Sequence, residues 1–115
     1  MPRKISGGKY KKSRKKKKYE LAGQIRYVTL GKEKRKQIKI RGKGIKTFLL
    51  TADKANVMDK NGKIKTIKIK SVIQVPSNRY LKGILFKGSI IDTELGKARI
   101  TNRPSQEGMI NAALI

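Results

Sequence analysis

The stretch KIKTIKIKSVIQV, residues 63–75, decides the fold class of this chain. Apolar and polar residues alternate along it, which is the period of a β-strand with one buried and one exposed face. The alternation changes phase midway, because Lys65 and Lys68 fall on opposite registers. A pattern with a period of two changes phase only where a residue is inserted, so we predict a β-bulge near Thr66-Ile67. Such a bend lets a small sheet curl into a barrel.

Short segments of the same type lie on both sides of this strand. The Asn61-Gly62 pair just before it indicates a hairpin, since both residues tolerate positive φ, and Gly42-Lys43-Gly44 marks a second turn. The further predicted strands are residues 25–30, 37–41, 45–52, 55–59, 88–94, 97–102 and 109–115. Turns or loops are predicted at residues 94–97 and 103–108, and residues 76–80 form either a turn or one short helical turn.

These segments predict an all-β domain over residues 24–115. We expect a small, partly closed, mainly antiparallel β-barrel of six to eight short strands. The chain has no Trp, four Tyr and two Phe, so the core of this barrel must be aliphatic.

Residues 1–23 differ sharply from this domain in composition. Ten of the first 18 residues are Lys or Arg and none of them is acidic. Mutual repulsion keeps such a segment extended until a polyanion neutralises it. We therefore predict a disordered basic extension over residues 1–23, and a partner that carries many phosphates.

The net charge of the whole chain indicates the same class of partner. It is +24, from 31 basic and 7 acidic residues in 115, whereas a small soluble domain usually carries roughly 2–8 charges. Nucleic acid is the commonest reason for such an excess, because each phosphate contact releases counterions. No apolar run is long enough to span a bilayer, and no apolar run follows the N-terminal charges as in a secretory signal. We expect no membrane partner.

The residue types that the sequence lacks argue against catalysis. There is no Cys and no His, which removes thiolate chemistry, zinc knuckles and the commonest general base. Asp92 and Glu94 share one strand face, which is compatible with a glycosidase or metal site but more simply explained by pairing with nearby cations. We expect no enzyme activity, no metal, no cofactor and no small-molecule substrate.

The candidate RNA-binding residues are therefore cations and flexible glycines. Lysines outnumber arginines 23 to 8, and Lys is a point charge that neutralises phosphate rather than reading base edges. The candidates are Arg3, Lys4, Gly7, Gly8, Lys9, Lys11, Lys12, Arg14, Lys15, Lys16, Lys17, Lys18, Arg26, Arg41, Lys43, Lys46, Arg79, Lys97, Arg99 and Arg103.

Each group of candidates also has a simpler explanation. The cations of residues 9–18 thread along RNA, or form a solvated tail or a localisation signal. Gly7-Gly8 is a linker, or permits a sharp turn or close approach to a phosphate. The sequence Arg41-Gly42-Lys43-Gly44 is first a hairpin turn and lacks the ending of a Walker loop.

Two further groups of candidates have the same ambiguity. Arg79 and Tyr80 form a stacking and phosphate pair, or Tyr80 packs on the barrel. Lys97 and Arg99 share the outer face of a strand and form a basic stripe that leads to Arg103, unless they are merely solvated.

Several stretches of the chain form a recognisable pattern, of which the strongest is KGSIIDTELGKARITNRP, residues 87–104, continued by Gln106, Gly108 and Asn111-Ala112. Further residues of the pattern are Arg3-Lys4, Ser6-Gly7-Gly8, Lys18-Tyr19-Glu20-Leu21, Ala52-Asp53, Ala55-Asn56-Val57, Lys63, Pro76 and Asn78-Arg79. In these residues, collinear over nearly the whole chain, the sequence resembles the archaeal and eukaryotic small-subunit ribosomal protein family "S eight e".

The resemblance implies a structural constituent of the cytoplasmic ribosome. It implies a β-barrel body, an N-terminal extension threaded along small-subunit rRNA, and neighbouring small-subunit ribosomal proteins as further partners. Ser105 stands where Gly is common in the family, and Lys82-Gly83 where paired arginines are usual. The alternatives are a ribosome-assembly factor with the same type of domain and a sequence-tolerant, chromatin-type nucleic-acid binder.

Overall fold

The computed structural model describes residues 2–11, 13–76 and 82–115. These residues form eight strands, one short α-helix and two 3-10 turns, at Lys18–Glu20 and Arg41–Lys43. The elements are β1 (Thr29–Leu30), β2 (Lys34–Lys39), β3 (Ile45–Ala52), β4 (Lys54–Met58), β5 (Ile64–Gln74), β6 (Ile90–Thr93), β7 (Gly96–Ile100), α1 (Pro104–Glu107) and β8 (Asn111–Leu114). The predicted all-β class is therefore confirmed, and β3 has the predicted bounds.

Five of the strands close into a barrel in the order β4-β5-β6-β7-β8. Neighbours along the chain pair antiparallel, and the barrel closes through a parallel pairing of β4 with β8, which places Val57 opposite Ala112. The remaining strands form a separate sheet in the order β1-β3-β2. The predicted strand number and the barrel are correct, but the barrel is fully closed and contains only five of the eight strands.

The long strand β5 contains the irregularity that the sequence predicts, but further along the chain. The pairing of β4 with β5 is regular through Thr66 and Ile67, so the predicted position of the bulge is wrong. The register with β6 shifts between Ile69 and Ser71 and again between Val72 and Gln74. Accordingly, Ile69 is buried at an odd position and Val72 is half-buried at an even one, which is the effect of an inserted residue.

The core of the described residues is aliphatic, as predicted. Its largest fully buried side chains include Leu49, Leu85, Ile91 and Ile100, each at most 1% exposed. Ser89 is also buried, and its Oγ accepts the backbone N–H of Phe86 at 3.0 Å. The same hydroxyl donates to Ile84 O at 3.5 Å, so both its acceptor and its donor have partners in the core.

Three predicted segments differ clearly from the structure. The first is β2, which spans Lys34–Lys39 in place of the predicted residues 37–41, because its ladder with β3 runs from Lys34 to Lys39. Only Thr29–Leu30 of the predicted strand at residues 25–30 is a strand, because the preceding backbone pairs at one point instead, where Leu85 N–H donates to Val28 O at 2.8 Å. The predicted loop at residues 103–108 contains the single turn α1, with Pro104 at its first position. Pro fits there because the first helical N–H has no partner within the helix.

The two predicted hairpin turns are confirmed. Residues 41–43 form a tight 3-10 turn between β2 and β3, closed by a hydrogen bond of 2.9 Å from Ile40 N–H to Gly44 O. Asn61-Gly62 lies in the turn between β4 and β5, where Asp59 N–H donates to Lys63 O at 2.8 Å. The predicted turn at residues 76–80 lies, from residue 77 on, outside the described residues.

Candidate RNA-binding surface

The N-terminal cations lie on an extended segment. Every described residue from Pro2 to Tyr19 is exposed, and Glu20 is half-buried. The radius of gyration is 20.1 Å, whereas a compact chain of this length has about 13 Å. We call residues 1–23 the basic tail. Exposure leaves its candidate cations accessible to phosphate, namely Arg3, Lys4, Lys9, Lys11, Arg14, Lys15, Lys16, Lys17 and Lys18; Lys12 lies outside the described residues.

Gly7 makes a sharp turn in the basic tail. Its φ is +78°, and Lys4 N–H donates to Gly8 O while Gly7 N–H donates to Lys4 O, both at 2.9 Å. Arg3 and Lys9 form an isolated antiparallel bridge across the turn. The positive φ favours Gly, since a Cβ is disfavoured in this region. The turn explains Gly7 locally, while close approach to a phosphate stays a prediction.

Arg14 differs from the lysines around it because it has an acidic partner. Its guanidinium donates to both carboxylate oxygens of Glu20, at 2.6 and 2.9 Å. Glu20 also accepts the Lys17 backbone N–H at 3.0 Å. Arg14 and then this N–H hold the pKa of Glu20 below its usual value, and the pair raises the pKa of Arg14. The sequence analysis missed this contact, although Glu20 is the only acidic residue before Glu33.

Two smaller groups of candidates lie on the folded body. Arg41 and Lys43 are exposed at the tip of the β2–β3 hairpin. Lys97 and Arg99 are exposed on β7, where they alternate with the buried Ala98 and Ile100. Both therefore lie on the outer face of β7, as predicted.

Asp92 and Glu94 lie on and just after β6, next to β7, and their surroundings explain them simply. Asp92 lies directly opposite Lys97 in the β6–β7 ladder, and opposite charges in such positions attract. Glu94 is exposed in the turn that follows β6. This placement favours charge pairing over the glycosidase or metal alternatives.

A groove of about 480 Å³ gathers three of the predicted cations, and we call it the basic groove. Its volume lies within the range of small-ligand pockets, about 300–1,000 Å³. The described residues that line it include two Arg, two Lys and two Phe, and neither Asp nor Glu. They are Gly23, Gln24, Ile25, Arg26, Val28, Lys46, Phe48, Pro76, Leu85, Phe86, Lys87, Arg103, Pro104, Ser105 and Gln106.

Aromatic rings organise the cations of the basic groove. The Arg26 guanidinium carbon lies 4.3 Å from the centroid of the Phe48 ring, and Lys46 Nζ lies 5.3 Å from it. Both distances are within the range of cation–π attraction. The Phe86 ring meets Tyr27 at a centroid distance of 5.6 Å and an interplanar angle of 80°, an edge-to-face contact. These contacts restrict the orientation of side chains that plain solvation would leave mobile.

Packing of α1 on β3 brings Arg103 to this groove. Gly108 ends α1 with φ +75°, and a Cβ built on it would lie 3.4 Å from Thr47 O. The left-handed φ favours Gly at this helix end, and the short distance shows that the end of α1 packs directly on β3. Thr47 lies between Lys46 and Phe48, so this contact places the start of α1 beside both groove residues.

Sequence reasoning missed part of this site. Lys87, Phe48 and Phe86 line the basic groove but were not among the candidates. Only Lys87, in the Phe86-Lys87-Gly88 stretch before β6, has a local signal, namely a cation beside an aromatic at a turn. Of the other candidates, Arg79 lies outside the described residues, as does Tyr80.

The described residues contain no helix long and apolar enough to cross a membrane.

Comparisons with known proteins identify the family. The family model described as Ribosomal protein S8e matches residues 1–115. The chain is 42% identical over 116 residues to "Small ribosomal subunit protein eS8" of Methanocella arvoryzae, covering 98% of this chain and 93% of the relative. Proteins of the same name from Sulfolobus acidocaldarius and Sulfurisphaera tokodaii are 43% and 48% identical, each over 98% of this chain and 91% of the relative. The resemblance inferred from the sequence is confirmed, and this chain belongs to the S8e family of ribosomal proteins.

Proposed function

We propose that this protein is a structural constituent of the small ribosomal subunit that binds rRNA through the basic tail and a basic face of the barrel. Family membership supports a structural, non-enzymatic role in the ribosome. The observation that carries the RNA-binding part is the basic groove, where two arginines and two lysines converge without a lining carboxylate among the described residues. Unpaired convergence of like charges costs stability, so it favours a polyanionic ligand.

The basic tail supplies affinity in this proposal. Its exposed cations contact phosphates without reading sequence, and its order develops as those phosphates are neutralised. The unbound tail, residues 1–23, is then disordered in solution, while residues 24–115 stay folded. Backbone NMR of the free protein tests this division, and a tail that is rigid without RNA would contradict it.

In this proposal, the folded body determines how the protein is oriented on rRNA. The basic groove, Arg41 and Lys43 at the hairpin tip, and Lys97 and Arg99 on β7 are held by strands or by ring contacts. Such cations fix the orientation of the protein on folded RNA, because phosphate contacts from a rigid scaffold set the register. Neighbouring small-subunit proteins complete its surroundings in the ribosome, in the cytoplasm.

Competition between nucleic acids tests the function directly. The full chain is bound to labelled small-subunit rRNA, and unlabelled rRNA fragments or duplex DNA of equal length compete at matched salt. We expect rRNA to compete better, and affinity to fall about 10³–10⁵-fold between about 50 and 200 mM salt if six to ten phosphates are engaged. Preference for DNA would instead favour the chromatin-type alternative.

Co-sedimentation separates a ribosomal constituent from an assembly factor. Small subunits that contain the protein are washed in high salt and pelleted. We expect the protein to stay with mature subunits, because phosphates buried between packed rRNA helices exchange slowly with salt. Presence only on immature particles would support the assembly-factor alternative.

A further inference from the structure

We propose that the basic groove takes up one unpaired nucleotide of rRNA, with its base against the phenylalanine rings and its phosphates among the four cations. This inference rests on the proposed RNA-binding function and adds a ligand of defined chemistry to it. A cationic face alone would be explained by the phosphates of base-paired RNA. A groove that also contains aromatic side chains indicates a ligand with a planar base.

The composition of the groove matches both halves of a nucleotide. Phe48 and Phe86 line it and are half-buried, so part of each side chain is accessible. Unpaired RNA bases stack on aromatic side chains and on arginine guanidinium planes. The guanidinium of Arg26 lies over Phe48, so at this ring the guanidinium plane offers the stacking surface, and Phe86 offers the second one. The remaining cations, Lys46, Lys87 and Arg103, supply charge for the phosphates on either side of the base.

The position of the groove also favours RNA over a protein segment. Gly23, Gln24 and Ile25 line it, so the groove lies where the basic tail joins the folded body. A nucleic-acid strand that contacts the tail cations is thereby led to the groove opening. An acidic peptide would satisfy the charges, but it would leave the stacking surfaces without the planar partners that bases provide.

A bulged RNA provides the probe. The full chain is titrated by fluorescence anisotropy, at one salt concentration, with a fully paired RNA hairpin and with the same hairpin carrying one unpaired adenosine. We expect tighter binding of the bulged RNA, by about 5- to 150-fold if one base stacks. Equal affinity of the wild-type protein for both RNAs overturns the inference.

Two substitutions localise the effect to the groove. Phe86→Leu removes an aromatic ring and keeps an apolar side chain. Ser105→Leu narrows the groove without adding a ring and keeps every cation, since Ser105 is a half-buried lining residue. Each should bring the ratio of the two affinities close to one, whatever its effect on the affinity for the paired RNA, because the ring and the open groove are what distinguish an unpaired base while the net charge is unchanged.

A matched control and a fold check complete the experiment. Ser71→Leu makes the same substitution at an exposed position of β5 outside the groove, and it should keep the preference. Circular dichroism shows whether each variant folds, and a variant that unfolds is replaced by Ser105→Met.

The outcomes distinguish nucleotide binding in the groove from RNA binding by the protein as a whole. Loss of the bulge preference in the groove variants alone supports the inference. A preference that survives both groove variants overturns the groove assignment and leaves RNA binding intact. Failure of the wild-type protein to bind either RNA contradicts the proposed function itself, and tight binding of an acidic peptide in place of the bulged RNA identifies a protein ligand and overturns the nucleotide.

Discussion

The basic tail and the basic groove both carry cations, but they hold them in opposite ways. The described tail cations up to Lys18 are exposed on a segment without buried residues, and their density comes from sequence alone. The groove gathers cations from four distant parts of the chain and fixes two of them over one ring. Charge in the tail is therefore abundant and adaptable, whereas charge in the groove is sparse and oriented.

This difference separates two contributions to binding. A flexible polycation raises affinity for any polyanion and loses it steeply with salt. Charges and rings that are already oriented favour an RNA of matching shape. Few side chains have to be ordered on binding, so the entropy cost is small. Substitutions can remove one contribution at a time, and their expected effects run from the largest, in the tail, to the smallest.

Removing charge from the tail should have the largest effect. Replacing Lys15, Lys16, Lys17 and Lys18 with Gln should reduce the slope of log affinity against log salt by about 3–4, since each phosphate contact contributes roughly 0.9. The same relation gives about 10²–10³-fold weaker rRNA binding at about 0.15 M salt. Anisotropy titrations over a salt series measure both quantities.

The matched control removes the same number of charges elsewhere. Lys63, Lys65, Lys68 and Lys70 are exposed on or beside β5 and belong to neither the tail nor the groove. Their replacement with Gln should change the salt slope much less. An equal change in both variants would mean that RNA binding depends on total charge and that the tail has no special role.

Disturbing the contact between α1 and β3 should have the next largest effect. This effect is on the free energy of unfolding rather than on RNA binding. Gly108→Ala forces a side chain into the left-handed region and brings its Cβ 3.4 Å from Thr47 O. We expect a loss of about 1–2 kcal/mol in the free energy of unfolding, the usual cost of that conformation. Urea denaturation measures it.

Gly31→Ala is the control for that change. A Cβ added to Gly31 would meet no heavy atom within 4 Å beyond the adjoining residues, and the φ of Gly31 is not in the left-handed region. The free energy of unfolding should stay within about 0.5 kcal/mol of the wild-type value. A similar loss in both variants would show that Gly108 has no special requirement at the end of α1.

Changing the shape of a groove cation without its charge should have a smaller effect. Arg26→Lys keeps the charge but loses the planar group 4.3 Å from the Phe48 centroid. We expect about two- to fivefold weaker rRNA binding, the size of one cation–π contact of about 0.5–1 kcal/mol, with an unchanged salt slope. Arg41→Lys at the hairpin tip also keeps its charge but alters no ring contact, so it should change neither quantity, and an equal loss there would mean that the planar group of Arg26 over Phe48 has no special role.

The sequence predicted the parts of this molecule that depend on local patterns. The outward placement of Lys97 and Arg99 follows from strict alternation with the buried Ala98 and Ile100, and the start of β3 follows from the Gly42-Lys43-Gly44 turn before it. The bulge in β5 was misplaced because residues 64–66 are exposed on both faces. The lysine register there carries no information on which side faces the core.

The basic groove illustrates what local patterns leave out. Arg26, Lys46 and Arg103 were each candidates, but nothing in their spacing predicts that they meet. Their convergence depends on the contact of α1 with β3 and on the pairing of Leu85 with Val28, both of which join segments far apart in sequence. Phe48 and Phe86 had no distinguishing sequence signal, since two phenylalanines in an aliphatic chain are equally expected in a core.

The smallest expected effect concerns the one carboxylate within the basic tail. Arg14 and the Lys17 N–H lower the pKa of Glu20, so the local turn at Lys18–Glu20 gains stability from the ionised carboxylate above its ordinary pKa of 4.5. That contribution is lost as the pH falls through the lowered pKa. Carbon NMR of the Glu20 carboxyl against pH should give a midpoint below 4.5, and Arg14→Gln should move it upward. A midpoint that does not respond to Arg14→Gln would mean that the local contact between Arg14 and Glu20 does not form in the free tail.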